Sequence, residues 1–210
     1  DLMRVQGYKT ALIGKSHLMN MTSNEARYGK PEPENTKKPV PRNFKLAVPV
    51  DHENSYYDQE HPKNWGEASN FEVALPFYGF NHVDLQTGHA DGVGGDYNRW
   101  LEKKYPNSQS LKGPENALTH SYKAAQAWRT AIPEELYPTS YITEKSIEYL
   151  EGHVKEKEDK PFFMMMSYPD PHHPFTPPGK YWNMYKPEEM PLPDSFFTNT
   201  PPPLNVAWAH

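Results

Sequence analysis

The chain has 210 residues, 22 Lys and Arg against 27 Asp and Glu, and a formal charge of −5. That length buries a core comfortably, while the acidity and the short apolar runs argue against a nucleic-acid partner and a membrane span. Zero cysteines exclude disulfides, thiolate metal sites and a cysteine nucleophile within these residues, and 23 prolines beside 14 tyrosines describe a folded, loop-rich chain rather than a disordered one.

Residues 1–18 read as a helix end, a short strand and a loop. Leu2, Met3 and Val5 lead to Gly7, a natural helix stop, and residues 10–13 form an apolar run closed by Gly14. From Met19 to about Asn70 little is periodic. Prolines 31, 33, 39, 41, 49 and 62 mark 20–70 as a long inserted loop, a type of segment that often carries function. Residues 80–85 alternate weakly, as a strand would. Residues 117–130 place alanines and Trp128 at helical spacing. A clearer helix is expected over 139–155, capped by Thr139 or Ser140, with Ile142, Ile147, Leu150 and Val154 as its apolar face. The run 162–167 that follows predicts a buried strand of an α/β sheet. Residues 169–178 make a Pro-rich loop, and the tail to His210 shows no closing element. The expected fold is α/β, incomplete at both ends.

Two strands therefore end in the most reactive residues. The first is followed by Lys15-Ser16-His17, the last by Asp170-Pro171-His172-His173-Pro174. In open α/β sheets ligands sit outside the carboxyl ends of the strands, so Lys15, His17 and His172 are expected in one crevice if the two strands lie near each other. A lysine with two imidazoles suits binding an anion and moving protons. The prolines around His172 stiffen its backbone.

Other patterns weigh less. Gly14-Lys15-Ser16 looks like the end of a phosphate-cradling loop, but the required earlier glycine is Lys9, and Gly7 comes two residues too soon. Gly92, Gly94 and Gly95 lack the third glycine of a dinucleotide fingerprint, where Tyr97 stands. His82, His89 and His120 with Asp84, Asp91 and Asp96 are of metal-ligating type, yet their spacing matches no compact ligand pattern, so no metal is assigned within the chain. His52, His61 and His153 read as surface residues. Tyr56, Tyr57, Trp65, Trp100 and Trp128 read as packing residues, not a sugar platform. Asn20-Met21-Thr22 fits a glycosylation sequon.

Together these residues resemble a known family. GYKTALIGKSHL at 7–18 resembles the G-Y-x-T-x-x-x-G-K-x-H-L segment of type I sulfatases of the alkaline phosphatase superfamily. KPFFMMMSYPDPHHPF at 160–175 resembles their K-P-F-F-l-x-x-S-x-x-x-P-H-x-P-F segment. Tyr78-Gly79-Phe80, residues 133–138 and the stretch 181–193 extend the likeness over most of the chain. The resemblance implies a mixed sheet flanked by helices and hydrolysis of the sulfate ester of a small molecule or glycan. Lys15 would bind a sulfate oxygen and the nucleophile's oxygen. His17 would hydrogen-bond a hydroxyl of hydrated formylglycine and help expel sulfate. His172 would contact the ester oxygen and protonate the leaving alcohol. Calcium and the formylglycine nucleophile are also implied, both held outside this chain: it has no cysteine and no Ser-x-Pro-x-Arg, and the family's acidic metal ligands are expected upstream of Asp1 and beyond His210.

Two departures bear on substrate. Met19 stands where glycine is frequent, and Ser16 where tryptophan is common, the smaller residue resembling the branch of bacterial sulfatases near phosphonate monoester hydrolases. A phosphonate monoester or phosphodiester hydrolase, or a non-catalytic glycan-binding or interaction module on the same scaffold, are the alternatives. The chain is read as an internal piece of one catalytic domain, itself inactive, from a periplasmic or secreted enzyme.

Overall fold

The computed structural model describes residues 1–19, 57–66, 70–157, 159–197 and 201. The sequon at Asn20, His52, Tyr56 and most of the 20–70 loop lie outside the described residues. Asp1–Gly179 forms one compact unit and Lys180–His210 another.

The first unit is built on a four-stranded sheet. β1 (Lys9–Lys15), β2 (His82–Thr87), β3 (Gly94–Gly95) and β4 (Phe162–Ser167) lie in the order β3-β2-β1-β4. β1 pairs in parallel with β2 and with β4, and β3 closes antiparallel onto β2. A parallel sheet has its ligand-binding loops at one end. Here three chain segments therefore leave the sheet together, after Lys15, Thr87 and Ser167.

β1 is the centre. Ala11, Leu12 and Ile13 are fully buried, and their alternation splits the core in two. Leu12 packs on one face with Met19, Trp65, Phe77, Phe80 and Leu85. Ile13 packs on the other with Val93, Tyr97, Leu101, Tyr141 and Ile142. The second cluster is where α2 (Asp96–Lys104) and α3 (Pro138–Lys155) cover the sheet. Helix α1 (Leu2–Val5) precedes β1, and Gly7 stops it at φ +87°, as its position predicts. Gly14 has a different reason to be glycine. A Cβ there would lie 2.0 Å from the Ser167 carbonyl oxygen and 3.1 Å from Ile142 Cδ1, so β1 and β4 could not keep their pairing.

Several expectations are corrected. The strand expected at 80–85 is displaced two residues onward, because Phe80 belongs to a turn closed by Phe77 and Phe80 backbone hydrogen bonds. Residues 117–130 are not helical. Leu118 bridges Arg129, and Ala127 bridges Phe175, so the segment is held by distant partners and not by its own spacing. Neither Thr139 nor Ser140 caps α3. Pro138 occupies its first turn with the N-cap at Tyr137, the Ser140 hydroxyl donates to the Glu134 carbonyl, and Thr139 donates to Asp170. Its buried face is Pro138, Tyr141, Ile142 and Ser146, while Ile147 and Val154 are 52% and 74% exposed. Among the described residues β4 is an edge strand with Phe162, Phe163, Met165 and Met166 exposed, not the buried strand its composition predicts, since there only β1 pairs with it. His153 is half-buried, its ring set edge-on to Phe162 at 5.1 Å.

The second unit holds 3₁₀ turns at Pro187–Glu189 and Asp194–Phe197 and no α-helix or strand among its described residues. No described helix is long and apolar enough to cross a membrane.

Candidate active site

The site is assembled where β1, β2 and β4 end. β1 delivers Lys15, half-buried, and then turns through Ser16, His17, Leu18 and Met19. His17 takes φ +54°, a left-handed conformation that a non-glycine residue holds only under external constraint. The constraint is Glu60, a fully buried carboxylate. One oxygen, Oε1, accepts from Ser16 Oγ at 2.5 Å and from the Leu18 and Met19 amides at 2.9 Å each; Oε2 accepts from the His17 amide at 3.0 Å. Three successive N–H groups satisfied by one anion make a rigid cradle, and the buried charge is matched by donors on every side. Ser16, where tryptophan is common in the family resembled, supplies the fourth donor.

Glu60 is itself anchored. Gln59 next to it accepts the Trp65 indole N–H through its carbonyl at 2.8 Å, and its side-chain oxygen accepts the Ala74 amide at 2.5 Å. Trp65 is buried and meets Phe71 edge-on at 5.2 Å. It is a packing residue, as are Trp100, against Tyr97 and Tyr141, and Trp128, whose indole donates to buried Asp91.

β4 delivers His172 on an exposed loop. The His172 amide donates to the Pro169 carbonyl at 3.1 Å, and its Nδ1 lies 2.6 Å from the His173 carbonyl oxygen. A carbonyl only accepts, so Nδ1 carries the hydrogen and Nε2 is left for proton exchange. The loop is joined to the rest of the unit further on. Phe175 exchanges backbone hydrogen bonds with Gln126 and Trp128, and Thr176 Oγ1 receives the Asp91 amide at 3.1 Å.

β2 delivers a residue that the sequence had placed among scattered histidines. His89 Nε2 accepts from the Lys15 ammonium. On the other side its ring stacks on His172, with centroids 3.6 Å apart and planes 14° from parallel. His173 lies tilted against His172 at 4.3 Å. Burial first, and then the charges of Lys15, His172, His17 and His173, push the His89 pKa down to about 4. His89 is therefore neutral at pH 7 and able to accept from Lys15. Burial also lowers the Lys15 pKa, against the opposing pull of Glu60. Lys15 and His172 are thus joined through one imidazole. His17 lies on the exposed rim of the same end of the sheet, with its ring bonded to neither.

The remaining metal-type residues do not converge. His82 pairs with Asp84 at 2.8 Å, and among the described residues no group of three His, Cys, Asp or Glu could hold a metal ion.

Glu60 and His89 carry no motif. His89 follows β2 just as His17 follows β1, and placing β2 at 82–87 instead of 80–85 makes that visible. Glu60 had no such signal, since it bonds residues more than forty positions earlier in the chain.

The family model described as Sulfatase matches residues 1–199. The chain is 33% identical over 98 residues, 47% of its length, to an arylsulfatase of Clostridium perfringens. It is 38% identical over 74 residues, 35% of its length, to the multifunctional alkaline phosphatase superfamily protein PehA of Trinickia caryophylli, and 30% identical over 103 residues, 49% of its length, to human iduronate 2-sulfatase. The aligned stretches span 19%, 14% and 18% of those relatives. With a family match over nearly its whole length and a mixed sheet flanked by helices, the chain belongs to the sulfatase family of the alkaline phosphatase superfamily.

Proposed function

We propose that the full-length protein hydrolyses a sulfate monoester of a small molecule or glycan, with Lys15, His17 and His172 serving the reaction from this part of the chain. The observation that supports it most is the meeting of Lys15 and His172 on His89, at the carboxyl ends of three mutually parallel strands. Two relatives named for sulfatase activity point the same way.

The chemistry assigned to these residues is limited to what they hold. The Lys15 ammonium donates to a sulfate oxygen and offsets charge on the crowded sulfur centre. As a nucleophile's oxygen, supplied from outside these residues, bonds to sulfur, the bond to the ester oxygen breaks and that oxygen keeps the electron pair. In its imidazolium form His172 also carries a proton on Nε2 and gives it to that oxygen, becoming neutral, since an alkoxide is a poor leaving group at neutral pH. Nδ1 stays on the His173 carbonyl throughout, so one nitrogen does the exchange. His17, on its strained and clamped backbone, faces the nucleophile's side in this reading.

Calcium and a formylglycine nucleophile do not fit the residues present. The described residues offer no metal-holding group, and residues 1–210 contain no cysteine and no Ser-x-Pro-x-Arg. We assign both to other segments of the protein and derive no step through either.

A second reading, a phosphonate monoester or phosphodiester hydrolase, is favoured by the likeness to PehA and by Ser16. Turnover of an aryl sulfate and of the matched aryl phosphonate ester by the full-length protein separates the two. A higher kcat/KM for the sulfate is expected. A higher value for the phosphonate selects the second reading, and turnover of neither overturns both.

A further inference from the structure

We propose that His89 is a positioning residue of the anion site, which holds the Lys15 ammonium through its Nε2 and fixes the plane of the His172 ring by stacking on it. The proposal rests on the reading of Lys15 and His172 given above and adds a residue to which no motif of the chain assigns a role.

Three observations carry it. The first is the double contact. Lysine has four rotatable bonds and imidazole two, and both lose rotamer freedom when held in one geometry. His89 restrains both at once, Lys15 by a hydrogen bond and His172 by a face-to-face ring. The His172 ring has a second restraint at Nδ1, on the His173 carbonyl. Stacking and that bond together leave Nε2 aimed in one direction.

The second is the backbone that presents His89. Gly88 has φ +76° and Ala90, fully buried, has φ +54°. Alanine in the left-handed region is strained, and such strain persists only where surroundings over-determine it. They do so here: the next residue, Asp91, is fully buried, its amide bonded to Thr176 Oγ1 and its carboxylate to the Trp128 indole. Thr176 in turn meets the Tyr137 hydroxyl at 3.0 Å. The loop after β2 is thereby tied to the end of the loop that carries His172.

The third is charge. Among the described residues, the charges that act most on His89 are those of Lys15, His172, His17 and His173, all cationic or able to become so. An imidazole crowded by cations accepts rather than donates. A tetrahedral anion entering beside Lys15 would then find its ammonium already oriented, with two of three N–H donors free of His89.

Two substitutions in the full-length protein separate the two contacts. His89→Phe keeps a ring against His172 and removes the acceptor for Lys15. His89→Gln keeps an acceptor at the Nε2 position and removes the ring. The first measurement is binding of inorganic sulfate by calorimetry. Removing the acceptor is expected to weaken binding roughly ten- to hundredfold, as loss of a hydrogen bond to a charged group does. His89→Gln should stay within about threefold of wild type, because the charged bond survives. The second measurement is turnover of a nitrophenyl sulfate against an alkyl sulfate. His89→Gln should lose more on the alkyl ester, which depends on the aim of the His172 nitrogen.

Sulfate affinity and leaving-group dependence unchanged in both variants overturn the proposal, as does a wild-type protein that binds neither inorganic sulfate nor inorganic phosphate. A merely structural histidine would lower the folded fraction without altering affinity in the folded protein, and circular dichroism with thermal melting reads that. Should one variant fail to fold, the other's sulfate affinity and ester ratio decide. If sulfate binding depends on His89 while no sulfate ester turns over, the proposal stands and the proposed reaction fails.

Discussion

The loop after β1 carries His17 on a stretch whose amides converge on one buried carboxylate, whereas the loop after β4 carries His172 between prolines on exposed chain. The first is ordered from outside, by Glu60, at the expense of burying a charge that its four described donors and the nearby Lys15 offset. The second is stiffened from within, by proline, a backbone bond from His172 to Pro169 and the His173 carbonyl that holds the imidazole. The difference suits the roles proposed. A residue that faces the nucleophile needs its backbone fixed to the sheet. A residue that passes a proton needs one ring nitrogen oriented and the other open.

The contrast can be broken from the sheet side or from either loop. Gly14→Ala should have the largest effect, because a Cβ at 2.0 Å from the Ser167 carbonyl disturbs the strands beneath both loops. A loss of about 4 kcal/mol or more is expected in chemical denaturation. Glu60→Ala should come next, leaving the His17, Leu18 and Met19 amides unsatisfied; a cost of about 3 kcal/mol is expected. Glu60→Gln keeps one acceptor oxygen and should cost about half as much. If Glu60→Ala denatured like wild type, the cradle would be irrelevant to the fold. Thr139→Val removes a single hydrogen bond to Asp170, on the proline-stiffened side, and should cost about 0.5–1 kcal/mol.

A pH measurement sharpens the contrast at the neighbouring strand β2, where Asp96 bonds Leu85 and which His89 follows. Burial pushes the Asp96 carboxyl up to about 6, against the Leu85 amide and Arg99 that favour its ionised form. A carboxyl with a raised folded pKa binds its proton more tightly in the folded state. Its contribution is therefore full below the unfolded pKa and lost as pH rises from about 4 to about 6. His89 runs the other way, since a depressed folded pKa gives stability that is present above 6.5 and lost as pH falls towards 4. Asp96→Asn should remove the first slope and His89→Gln the second, with denaturation midpoints between pH 4 and 7 as the readout.

Much of this was legible in local sequence. The stop at Gly7, β1, α3 and β4 each rest on short-range pattern, and each formed within a few residues of its expected bounds. The placement of Lys15 and His172 at one end of the sheet followed from strand direction once β1 and β4 are neighbours, which the pairing shows. What was hidden is what depends on distant partners. Residues 117–130 have helical spacing but are held by Phe175 and Asp91. The exposure of Ile147 and Val154 depends on which face of α3 the aromatic residues Tyr141 and Trp100 take. Glu60 acts across more than forty residues, and His89 was concealed by a two-residue error in β2.

The most direct test of a shared Lys15–His89–His172 site is the dependence of kcat/KM on leaving-group pKa, for the full-length protein and for His172→Ala, over aryl and alkyl sulfates. The wild type should show a shallow dependence, because the proton from Nε2 makes poor leaving groups tolerable. His172→Ala should show a steep one, with losses of roughly 10²–10⁴ on alkyl esters and little on nitrophenyl esters. An equal loss on every ester would contradict the assignment of His172 as the proton donor and leave the three residues an anion site without that role.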